Sequence, residues 1–138
     1  MTTSKQGLDM QRPLATDNDL QEMLLGLLKE ANQRQLWLIL LDGEQRLTGP
    51  LMPIEDLPRY PDHAAPILCE RFAEIAALVG AASIVLVWER PGPDRAFADD
   101  LAWARATNEG AGRHKLAIRA QFILHDHGIR RLTPDDLV

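Results

Sequence analysis

Cysteine is almost missing from this chain. Cys69 stands alone among 138 residues. That excludes an internal disulfide and any zinc site built from several cysteines. Cys69 itself falls within an apolar helical pattern, where a buried small hydrophobe is expected rather than a nucleophile. Basic charge is also short: 15 Lys and Arg face 20 Asp and Glu, for a net charge of -5. Bulk nucleic-acid binding needs phosphate-neutralising cations, so the balance argues against it. Arg113, His114, Lys115 and Arg119, with Arg130 and Arg131, leave room for a local basic patch, read here as solvated surface. Long apolar runs are lacking. The longest, Leu36 to Leu41, is far too short to cross a bilayer. The first nineteen residues, MTTSKQGLDMQRPLATDND, hold no apolar core of a secretory signal, so a cytoplasmic location is the expectation. Gly-x-Ser-x-Gly, a phosphate loop, Gly-x-Gly-x-x-Gly, internal repeats and low-complexity tracts are all absent from the sequence.

What remains is the composition of an ordinary globular domain, 46% hydrophobic and 25% charged. Residues 1–15 show little periodicity and read as a flexible arm, leaving 16–138 as one domain. Thr16-Asp17-Asn18-Asp19 marks a helix start. Leu20, Met23, Leu24, Leu27, Leu28 and Ala31 then form an apolar stripe that must cover the sheet or a partner. QLWLILLD predicts a strand, Asp42-Gly43 a hairpin turn, and EQRLTGPL the returning strand. The proline-bearing stretch Met52 to Pro66 predicts a loop. Ile67 to Val79 predicts a helix burying Leu68, Phe72, Ile75 and Val79, closed by Gly80. ASIVLVW has no polar alternation and reads as a central parallel strand covered on both faces. Phe97 to Glu109 predicts a helix with Phe97, Leu101 and Ala104 inward, ended by Gly110 and Gly112. LAIRAQFIL is the next strand, and IRRL pairs back after a turn at His125-Asp126-His127-Gly128. The pattern is a mixed α/β (α+β) fold, a mixed β-sheet sandwiched by helices.

In such sheets chemistry collects beyond the carboxyl ends of parallel strands. That points to IVLVWERPGPDRAFADD, where the central strand opens into its loop. The candidate residues are Trp88, Glu89, Arg90, Asp94, Asp99 and Asp100. Asp99 and Asp100 also suit the first turn of a helix on dipole grounds alone. The four acids could hold a carboxylate pair for hydrolysis, but their spacing is unspecific. His125-x-His127 is the one His-x-His in the chain, with His114 and His63 as remote third partners. Its place at a turn, without a third ligand set by spacing, favours turn histidines over a metal site.

These segments together resemble the JAB/MPN metalloprotease family, most closely its bacterial RadC-like branch. The likeness runs from LWLILLDGEQRLTG through GAASIVLVWERPGPD to AQFILHDHGIRRL, covering roughly Leu36 to Leu132. It implies a cytidine-deaminase-like architecture. In the family the central strand ends in His-x-His-Pro, followed by a glycine-containing loop and Ser-x-x-Asp at a helix start. The histidines and aspartate bind zinc, and a glutamate on the second hairpin strand is the general base. Here Trp88 and Arg90 stand at the histidine places, and Pro91 keeps the proline. Ala98 takes the serine place and Leu101 the aspartate place; Asp100 serves only if the loop is one residue shorter. The glutamate place falls near Pro50 or Leu51.

Catalytic zinc needs about three protein ligands with free lone pairs. An indole offers only an N–H, and a guanidinium is a permanent cation with no acceptor. The expectation is thus a site without metal, cofactor or peptidase activity. Arg90 either replaces the metal's charge by pairing with Glu89, Asp94, Asp99 or Asp100, or joins Trp88 in a recognition patch. The resemblance implies an interaction, scaffold or regulatory module working with a protein partner or as a homodimer, with the N-terminal helix as candidate contact element. The alternatives are a metal-dependent hydrolase with a relocated site around His125 and His127, and a nucleic-acid-associated RadC-like protein.

Overall fold

Thr16 starts the first helix by a reciprocal cap: its Oγ1 accepts from the Asp19 N–H, and the Asp19 carboxylate accepts from the Thr16 N–H. The computed structural model describes residues 12–138. Along it run α1 (Asp17–Leu28), β1 (Gln35–Leu41), β2 (Met52–Ile54), α2 (Ala64–Val79), β3 (Ser83–Glu89), α3 (Ala98–Arg113), β4 (Ala117–His125) and β5 (Gly128–Arg131). A 3-10 turn, Pro134–Leu137, follows. The strands form one sheet in the order β2-β1-β3-β4-β5. Only β3 and β4 are parallel, and α3 crosses between them. The described residues form a mixed α/β fold with a five-stranded mixed sheet and three helices.

Strand alternation explains why β1 and β3 are apolar on both faces. Leu36, Leu38, Leu40, Ile84, Leu86 and Trp88 face α2 and α3. Ile39, Leu41, Val85 and Val87 face the other way, where Leu20, Met23 and Leu24 of α1 cover them. The α1 stripe therefore packs on its own sheet. Each such side chain contributes about 1.5–3 kcal/mol of burial, which outweighs any partial exposure of Leu25 on the outer side.

Several boundaries differ from the sequence reading. Most of the arm, residues 1–11, lies outside the described residues. Leu14 within its last part is buried, and its N–H donates to the Gln45 carbonyl. The return from Asp42-Gly43 is not a full hairpin. It makes one bridge, Leu41 to Leu47, and the Thr48 N–H donates to the Leu40 carbonyl. Gly49 then turns left-handed (φ 77) before Pro50, which has no N–H to offer, and regular pairing resumes only at Met52. Pro53 is tolerated there because β2 is a sheet edge. Helix α2 begins at Ala64, ahead of the expected Ile67, since a proline at position 66 still sits in the first turn. Its most buried residues are Ala65, Cys69, Phe72 and Ala76; Leu68, Ile75 and Val79 are half-buried. Gly80 closes it in the left-handed conformation.

Helix α3 runs through Gly110 and Gly112 rather than ending at them. Gly110 serves packing: a Cβ there would lie 2.6 Å from Cys69 Sγ. The missing side chain lets α2 and α3 approach. Cys69 is buried, its thiol donates to the Thr107 carbonyl, and burial pushes its pKa up. It is a small core residue.

Candidate functional site

Helix α3 begins beside the end of β3, and this junction assembles most of the residues singled out from sequence. Trp88 and Arg90 lie two positions apart and point to the α3 side. Both are 6% exposed. The Trp88 indole packs 5.8 Å from that of Trp103 and donates to Gln121 Oε1, whose amide donates in turn to the Ala104 carbonyl. Trp88 is thus a satisfied core side chain and does not form a surface patch in this state.

Arg90 turns into the protein. Its Nε donates to Asp100 Oδ2 at 3.1 Å. Its two terminal nitrogens donate to the carbonyls of Pro93 and Arg95, each at 2.5 Å. The guanidinium also lies 4.6 Å from the centre of the Phe97 ring. The loop after β3 therefore wraps its own arginine. Gly92 (φ 123) permits the curl, and a Cβ there would meet Arg90 Nη1 at 3.6 Å. Asp100 does a second job by accepting from the Phe97 N–H at the helix start. Residue-by-residue placement put Leu101 at the acid position, but Leu101 is half-buried against the core and Asp100 is the carboxylate that meets Arg90.

The other acids separate. Asp99 pairs with Arg59, from the loop before α2, at 2.7 Å. Asp94 is exposed, and its carbonyl accepts from Arg130. Glu89 points to the opposite sheet face, is 3% exposed, and collects four donors. These are the N–H groups of Asn32 and Gln33, the Gln35 amide and the Trp37 indole. Burial, the largest single effect, pushes its pKa up; the four donors together outweigh it and hold the carboxyl below its ordinary value. Glu89 is a structural anion that organises the turn into β1. Neither Glu89 nor Asp94 pairs with Arg90.

Three residues complete the site that sequence reading missed. Arg34, just before β1, donates to the carbonyls of Leu57, Pro58 and Arg59. Trp103 donates its indole N–H to the Pro58 carbonyl at 2.9 Å. Arg59 binds Asp99. Only the antiparallel register, which sets Gln35 opposite Glu89, brings the start of β1 to the end of β3. No local spacing signals it. The space left inside, bounded by Arg34, Leu57, Trp88, Arg90, Asp100 and Trp103, is ≈ 20 Å³, room for about one water. Outside it lies a shallow groove of ≈ 240 Å³ along Arg34, Arg59, Pro91 and Phe97.

The remaining candidates lie elsewhere. His125 is buried at the end of β4, and its Nδ1 accepts from the His127 N–H. Burial is the main reason its pKa falls below the usual histidine value. That bond closes the turn, while the Asp126 N–H donates to the Gly92 carbonyl. Among the described residues, no group of three or more His, Cys, Asp or Glu side chains is placed to hold a metal ion. Four of the basic residues are tied to carboxylates: Arg119 and Arg131 share Asp17, Arg130 meets Asp136, and Arg113 meets Glu109. No helix among the described residues is long and apolar enough to cross a membrane. No protein-family model and no curated protein matches the sequence.

Proposed function

We propose that this chain is a catalytically silent domain of the JAB/MPN type, nearest the RadC-like branch, that works as a protein-interaction, scaffold or regulatory module. One observation carries the reading. At the carboxyl end of the strand where that family holds its metal, Arg90 supplies a fixed buried cation, already matched by Asp100 and two carbonyls. A divalent ion at that place would face a guanidinium with no lone pair to give. The indole of Trp88 fills the neighbouring volume. Arginines of β4 and β5 engaged by Asp17 and Asp136 speak for this reading over nucleic-acid binding, and the turn-closing role of His125 speaks for it over a relocated hydrolytic site.

The test is metal analysis of protein purified without a histidine tag, together with peptide and isopeptide hydrolysis in added zinc. The expected result is no stoichiometric zinc and no hydrolysis. Stoichiometric zinc, or turnover abolished by a chelator, would overturn the proposal.

A further inference from the structure

The outer face of α2 carries the two most exposed large apolar side chains of any described helix or strand: Ile67 is 59% exposed and Leu78 is 85% exposed. Lone exposed hydrophobics are ordinary on a surface, so only their arrangement is informative. Helix α2 buries Ala65, Cys69, Phe72 and Ala76. The same spacing of four, three and four recurs two residues further on, at Ile67, Arg71, Glu74 and Leu78, about 200° round the helix. All four residues of this second row are exposed.

From either end the row reads apolar, charged, charged, apolar, with the two charges of opposite sign. Turned about a two-fold axis through its midpoint, it meets itself. Ile67 then lies on Leu78 of a second copy, and Arg71 on its Glu74, each pairing made twice. A parallel arrangement would set Arg71 on Arg71 and Glu74 on Glu74, so the charges select the antiparallel one. The flanking positions agree. Leu68 and Ile75, both half-buried, line one side, and on the other Glu70 comes opposite Ala77 of the second copy. Within the chain these charges are unused. Arg71 and Glu74 are three residues apart on one helix, close enough to pair with each other. Among the described residues, neither side chain makes an ion pair or a hydrogen bond.

We infer that α2 is a homodimer contact, in which two copies of this chain pack antiparallel along the row Ile67, Arg71, Glu74 and Leu78. From Ile67 to Leu78 the helix advances only about 16 Å, so the dimer belongs at the small, weak end of interface sizes. The inference rests on the interaction-module reading and deepens it by naming the partner. It also moves the contact from α1, whose apolar stripe is occupied by its own sheet, to α2.

Sedimentation equilibrium of the full chain, from about 10 µM to 1 mM, should show a monomer–dimer equilibrium. Arg71→Glu gives the row an all-acidic centre and Glu74→Arg an all-basic one. Each variant alone should associate about tenfold or more weakly. An equimolar mixture of the two should dimerise again, as should the chain carrying both substitutions, because every charge then meets its opposite. Leu78→Lys should also lose the dimer, with an unchanged urea midpoint measured where the wild type is monomeric. A wild type that stays monomeric throughout the range overturns the inference. So do single charge variants that associate like the wild type, or a mixture that stays monomeric. If a charge variant fails to fold, Leu78→Lys decides alone, and undiminished association refutes the contact. None of these readouts involves zinc or hydrolysis, so failure of the dimer and failure of the silent-domain reading are distinguishable.

Discussion

The Arg90–Asp100 pair can be measured without disturbing the helix start it shares. Asp100→Asn keeps an oxygen to accept from the Phe97 N–H, so the cap survives and only the charge is lost. Arg90→Met keeps most of the stem volume and removes the guanidinium. Both side chains are almost fully buried, at 8% and 9% exposed, so solvent screening discounts little. Breaking a buried pair from one side strands a charge and costs about 3–5 kcal/mol. The contacts left behind moderate this. In Asp100→Asn the guanidinium keeps the Pro93 and Arg95 carbonyls, so about 3 kcal/mol is expected. In Arg90→Met the carboxylate keeps the Phe97 N–H and the helix N-terminus, and about 3 kcal/mol is again expected. The double variant strands no charge. Its loss should therefore be no larger than either single loss, a coupling of about 3 kcal/mol or more. Urea unfolding of the four proteins reads this directly from the midpoints, provided the slopes agree. Coupling within about 0.5 kcal/mol of zero would refute the argument that Arg90 is a paired, pocket-filling cation.

Glu89→Gln should flatten the acid limb of the stability profile. The folded carboxyl titrates below its ordinary value, so its contribution is complete above the unfolded pKa of about 4.3 and is lost as pH falls through the folded value. Urea midpoints between neutral pH and acid should drop less in the variant, and parallel profiles would contradict the four-donor account. Gly110→Ala should destabilise by about 1–3 kcal/mol although alanine is the better helix former, because its Cβ meets Cys69 Sγ at 2.6 Å. Cys69→Ala in the same chain should restore part of that loss, and a stabilised Gly110→Ala protein would show that the two helices separate freely. Trp88→His with Arg90→His puts two imidazoles on one side of a strand end, with Asp100 already facing them. Zinc titration should find one bound ion in this variant, and none would count against the inherited-site reading.

Residue order alone was enough for the layered plan. Unbroken apolar runs at β1 and β3 demand cover on both faces, because every other side chain of a strand points the opposite way. The capped start at Thr16 and the stop at Gly80 are local backbone chemistry, and both were legible for that reason. The end of α3 was not, since a glycine in a helix looks the same from sequence whether it stops the helix or admits a neighbour. Tertiary structure also decided which acid serves which cation. Glu89 and Arg90 are adjacent in the chain but lie on opposite faces, and Asp99 and Asp100 are adjacent but bind arginines from different segments. Charge partners are chosen by sheet register and helix phase. Those are set by where the whole apolar core comes to rest, and no local spacing encodes them.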